Sequence, residues 1–74
     1  MSLPVHLVPS LAEAAVGSAV EVTGDEAHHA VAVRRLREGE QVVLTDGLGT
    51  SVTGTVASTG KRVFAVSVAS VSTD

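Results

Sequence analysis

Histidines and arginines gather in one stretch, TGDEAHHAVAVRRLREGE from Thr23 to Glu40. It holds two of the three histidines and three of the four arginines of a 74-residue chain. Side chains of these types bind metals, move protons, contact nucleic acid, or simply line a solvated helix face. A metal site would have to use His6, His28 and His29, because there is no cysteine. Adjacent positions on a helix point about 100° apart, and helical ligand pairs need spacing of three or four residues. His28 and His29 are therefore badly spaced to share an ion, and no metal is expected. No serine sits on a Gly-x-Ser-x-Gly elbow. "GLG" (Gly47–Gly49) lies between two apparent strands, where a dinucleotide fingerprint would precede a helix. A glycine-rich phosphate loop is missing as well. Taken alone, the chain does not read as an enzyme.

The elements that must position these residues are short. Val5, Leu7 and their neighbours alternate between two prolines, as in an edge strand. Ser10–Ala19 reads either as a helical turn ended by Gly17 or as a loop. Ala19–Thr23 alternates apolar and polar residues and reads as a strand. Thr23 and Glu26 then match a capping box, with Asp25 and Glu26 at the positive end of a helix dipole and Arg34 and Arg35 at the other. This predicts one helix from about Asp25 to Arg35, stopping before Gly39. Three strands follow: Gln41–Asp46, Thr50–Ser58 and Arg62–Val71. The second carries Val52, Gly54 and Val56 on one face, and the third Phe64, Val66 and Val68. Their turns are Gly47–Gly49 and Thr59–Lys61. The expected class is mainly β, a small, partly closed barrel of about five strands with one short helix.

Composition limits what such a barrel can do. A chain of 74 residues is one small domain, burying roughly 60% of its unfolded surface and drawing only ~3–5 kcal/mol from its core. The absence of cysteine suits an intracellular setting. No apolar run approaches the ~20 residues that span a bilayer. A net charge of −3 argues against non-specific nucleic-acid binding, which draws its affinity from phosphate neutralisation. Any such role must rest on a local patch.

On a helical wheel His28, Ala32 and Arg35 form one stripe, at i, i+4 and i+7. His29 falls near Val33 and Leu36, so a packed histidine, bonded to a backbone carbonyl or Asp25, is favoured over a ligand. A solvated face that completes the dipole is the plain reading of the arginines.

The ordered set Gly24-Asp-Glu-Ala-His-His29, Val33, Arg35, Gly39 and Asp46-Gly47 resembles the amino-terminal segment of the ribosomal RNA small-subunit methyltransferase E family. Gly49, Gly54, Val56 and the Lys61 strand also fit, so the likeness runs from about Val5 to Val71. It implies that residues 1–74 are a PUA-like RNA-binding β-barrel. The family's larger carboxy-terminal knot domain, of the SPOUT type, binds S-adenosylmethionine, carries the catalytic residues and forms the homodimer; it has no counterpart in this chain. The whole family enzyme methylates N3 of one uridine of 16S ribosomal RNA in the assembled small subunit, in the cytoplasm. This chain by itself would then be inactive and bind no cofactor.

Two positions depart from the family pattern. His6 stands near an aromatic position of a basic, aromatic start, and Ala32 stands where many members have arginine. The RNA-facing residues the resemblance points to are His28, Arg34, Arg35, Arg37, Lys61 and Arg62, working through phosphate and shape contacts. Phe64, the one aromatic, reads as core, so base stacking is not expected. The rival reading is a structural or protein-interaction barrel packed on a partner domain. Exposed arginines would mark the first reading, an exposed apolar patch the second.

Overall fold

A computed structural model describes residues 3–73. Five strands form one curled sheet in the order β1-β3-β4-β5-β2. They are β1 Val5–Leu7, β2 Ala19–Thr23, β3 Gln41–Thr45, β4 Thr50–Thr59 and β5 Val63–Thr73. Only β1 and β3 run parallel; the other neighbours are antiparallel. The single helix α1, Gly24–His28, passes directly into a π-helical stretch, His29–Val33. The predicted small, mainly β half-barrel with one short helix is what forms.

Alternation along the strands builds the core. Val42 and Leu44 of β3, Val52 and Val56 of β4, and Phe64, Val66 and Val68 of β5 are buried together with Val22 of β2. Each such side chain contributes roughly 1.5–3 kcal/mol by leaving water. Gly54 shares the inward face of β4 for a steric reason. A Cβ there would fall on the Ser67 carbonyl oxygen and lie 2.6 Å from Val66 Cγ1. The missing side chain lets β4 and β5 close at the register shift between Thr53 and Gly54.

Ser10–Ala19 resolves to turns, not helix. Ser10 Oγ accepts from Ala12 N at 3.2 Å and Leu11 O from Ala14 N at 3.1 Å. Gly17 N and Ser18 O then bond Val68 O and N, stitching this segment onto β5.

Three details of the predicted helix are corrected. Thr23 makes no side-chain cap; it is the extended last residue of β2 (φ −127°, ψ 175°), and Glu26 is turned to His6 instead. The change of direction is made by Gly24, whose φ of +75° a residue with a Cβ adopts only at a cost. Helical structure also ends early, with Arg34 as the closing residue, while Arg35 lies beyond it. Gly39 bonds Val56 O in the following loop.

Replacing Gly54 with alanine should be among the most damaging single changes. Overpacking costs about 1–3 kcal/mol and more where backbone is struck, a large share of what so small a core supplies. Urea melts of Gly54→Ala should show most of the cooperative transition lost; a midpoint near that of the parent would contradict the close β4–β5 approach.

Candidate nucleic-acid interface

Antiparallel pairing places the end of β2, the start of β3, the end of β4 and the start of β5 at one pole of the sheet, as the pairs Thr23↔Val63, Gln41↔Thr55 and Thr59↔Phe64 show. Arg34, Arg35 and Arg37 lie on the helix end and the loop into β3. Lys61 and Arg62 lie on the β4–β5 hairpin. All five lysines and arginines of the chain thus sit at this pole, and all five are exposed, as is His28. The loop is held to the sheet by Gly39 N to Val56 O and Val56 N to Glu40 O, both 2.8 Å. The hairpin turn is closed by Gly60 N to Val63 O at 2.7 Å.

The pole is not purely positive. Asp25, Glu26, Glu38 and Glu40 share it. Arg62 Nη1 lies 3.5 Å from Asp25 Oδ1 with both side chains largely in water, where solvent screens the pair and it adds little. The Asp46 turn, where Asp46 Oδ1 accepts from Leu48 N at 2.7 Å and Thr50 N at 3.2 Å, carries no lysine or arginine.

Among the described residues, Arg35 is the non-glycine residue with positive φ, at +56°. Arg34 N still bonds His29 O (3.1 Å), and Leu36 N reaches back six residues to Ala30 O (3.0 Å). The left-handed residue therefore closes a widened helix end, a position that usually goes to glycine. Holding arginine there costs about 1 kcal/mol, and strain of this kind collects at functional sites.

His29 overturns an expectation. It is exposed, not packed, and Val33 beside it is 63% exposed. The helix rests on Ala27 and Ala30, both wholly buried, with Val31 partly so. Small residues at i and i+3, Ala27 and Ala30, let the helix lie close on the sheet, and His29 points away from that face. The signal was in the sequence, but larger apolar residues outweighed it.

The buried histidine is His6. It is 3% exposed, its Nδ1 lies 3.2 Å from Glu26 Oε2, and its ring meets Phe64 edge-on at 5.3 Å. A carboxylate oxygen only accepts, so Nδ1 donates to Glu26. His6 thereby fastens edge strand β1 to helix α1. Buried His6 and exposed His28 and His29 do not converge, and the described residues hold no cluster of three possible metal ligands. Phe64 is fully buried and offers no surface for base stacking.

A family model for the RNA methyltransferase PUA domain matches residues 22–68. The chain belongs to this family. Over 33 residues it is 58% identical to ribosomal RNA small subunit methyltransferase E of Mycobacterium bovis, covering 45% of this chain and 13% of that protein. Ribosomal RNA small subunit methyltransferase E from Neisseria gonorrhoeae, solved bound to S-adenosyl methionine, superposes with a TM-score of 0.79. Its identity is 23%, over 95% of this chain and 28% of that one, a likeness of fold. A predicted RNA methyltransferase from Thermotoga maritima gives 0.70 at 33% identity, over 93% of this chain and 31% of that one. The chain thus spans about an eighth of its curated relative and under a third of these solved chains.

Two stability measurements check the geometry. His6→Ala should cost about 2–4 kcal/mol through lost packing and a lost bond to Glu26, whereas His29→Ala should stay within about 0.5 kcal/mol. Equal urea midpoints for the two would reverse this assignment. Arg35→Gly should raise stability by about 0.5–1 kcal/mol by relieving the left-handed strain, and an unchanged midpoint would mean the strain is absent.

Proposed function

We propose that this PUA domain holds ribosomal RNA for a methyltransferase, through the pole that carries His28, Arg34, Arg35, Arg37, Lys61 and Arg62. The observation that supports this most is the confinement of every lysine and arginine to one end of an acidic domain. Phosphate contacts fix position and register without reading bases, which suits exposed guanidinium groups with no aromatic platform beside them. Following the relatives, the finer reading is an enzyme that methylates N3 of one uridine in 16S ribosomal RNA of the assembled small subunit, in the cytoplasm and as a homodimer through a second domain. Residues 1–74 make up the RNA-holding part.

S-adenosylmethionine would supply the methyl group in such an enzyme. The residues of this domain do not fit it: the open groove beside Leu7 and Val22 carries Glu21, Glu26 and Asp46 and no cation to meet the cofactor's carboxylate. We therefore assign cofactor binding to residues outside these 74. Calorimetry of the 74-residue chain with S-adenosylmethionine should give no saturable heat, and micromolar binding would refute that assignment.

Arg35 gives the direct test of the RNA face. In the full-length protein, Arg35→Ala should weaken small-subunit binding by roughly 1–2 kcal/mol, as for one charge-assisted contact. The slope of log affinity against log salt should fall by about one unit. Stability should barely move, since alanine and arginine bear similar left-handed strain. Unchanged affinity and slope would take the RNA face elsewhere.

A further inference from the structure

Edge strand β1 has its sides reversed. His6 points into the core, while Val5 and Leu7 are 58% and 59% exposed. A slip of one residue would bury both apolar side chains, but the His6–Glu26 bond and the packing on Phe64 hold the present register. An edge strand with an outward apolar face is an open template for another chain. The other edge of the sheet is β2, which pairs only with β5, just as β1 pairs only with β3. Between the two edges runs an open groove of about 420 Å³, lined by Leu7, Val8, Pro9, Val22 and Thr23 together with Glu21, Glu26 and Asp46.

We propose that this seam receives one extended, basic segment of a protein partner, lying as an added strand between β1 and β2. Its apolar side chains would pack on exposed Leu7, above the buried Val8 and Val22, and its cations would face Glu21, Glu26 and Asp46 spaced along the groove. Main-chain bonds to a free sheet edge supply affinity in this mode, and alternate side chains supply selectivity. The groove is too small for a folded partner and suits a single strand. Charge decides the class of partner. Three carboxylates and no cation repel phosphate, so nucleic acid is disfavoured here, and complementary charge favours a basic chain. The seam is lined by none of the cationic residues assigned to RNA, and the two surfaces meet only at Glu26.

A fluorescein-labelled decapeptide of alternating valine and arginine is the probe, with a twin in which glutamate replaces arginine. Titrated into the 74-residue chain, the basic peptide should bind saturably and shift the amide resonances of Leu7, Val8 and Glu21 to Thr23. The acidic twin should not bind. Glu21→Lys and Leu7→Ser, both at exposed positions, should each weaken the basic peptide about fivefold or more while leaving the urea midpoint in place. The proposal is overturned if the basic peptide fails to bind at millimolar concentration. It is also overturned if the twin binds equally, if the shifts fall on the Arg34–Arg37 loop or the Lys61 hairpin, or if a single-stranded RNA occupies the groove instead. Failure of the peptide to bind leaves the RNA reading standing, because that reading rests on the Arg35 test; RNA found in the groove would count against both.

Discussion

Everything in this domain hangs from the β4–β5 hairpin, and the hairpin closes because position 54 has no side chain. Strands of ten and eleven residues supply most of the inward apolar faces, and they approach closely only where Gly54 lies beneath the Ser67 carbonyl. From that pair the sheet grows outward in both directions, with β3 and β1 on one side and β2 on the other. A glycine inside a strand ordinarily weakens it. Here the close approach it permits outweighs that cost, because Val52, Val56, Phe64 and Val66 all become buried around it.

A curled sheet of five strands leaves two edges, and the rest of the structure deals with them. Helix α1 leaves the edge strand β2 and lies on the sheet through Ala27 and Ala30, while Glu26 reaches across to His6 on the opposite edge. The small contact residues bring the helix near, and the widened π-helical turn brings it to an end. Arg35 takes the left-handed position there, and Leu36 returns to the core at 7% exposure. Arg34, Arg35 and Arg37 are therefore presented by a short, hydrogen-bonded corner and not by a long helix face. Such a corner fixes the backbone while leaving the guanidinium groups in water, which suits contacts that position an RNA.

How much of this was legible in the sequence depended on what sets each feature. The β3, β4 and β5 strands were readable because period-two alternation is a local signal, and the faces Val52-Gly54-Val56 and Phe64-Val66-Val68 were correctly assigned. The turns at Gly47–Gly49 and Thr59–Lys61 were readable from their residue types. The capping box was misleading, since Thr23 and Glu26 have the right spacing but a tertiary partner, His6, outcompetes the local bond. The helix faces were misread for a related reason: a wheel weighs side-chain size, whereas a helix lying close on a sheet needs alanine. His6 could not be read as buried from its own strand, where Val5 and Leu7 are the more apolar residues. Of the cationic positions, the types and grouping were plain, but only strand pairing shows that Arg34–Arg37 and Lys61–Arg62 share one end.

That shared end also limits the strength of any RNA contact. Five cations allow at most about five phosphate contacts, so the salt slope of the domain could not be steeper than roughly −4.5. Four carboxylates at the same pole lower the effective number further, and Asp25 already lies beside Arg62. On the proposed reading, a domain so arranged would orient an RNA more than capture one, and most of the affinity would come from contacts outside these residues. The carboxylate-lined seam follows the same electrostatic logic in the opposite sense. It turns phosphate away, leaving only the cationic pole open to a nucleic acid, and so gives an acidic domain one preferred direction of approach.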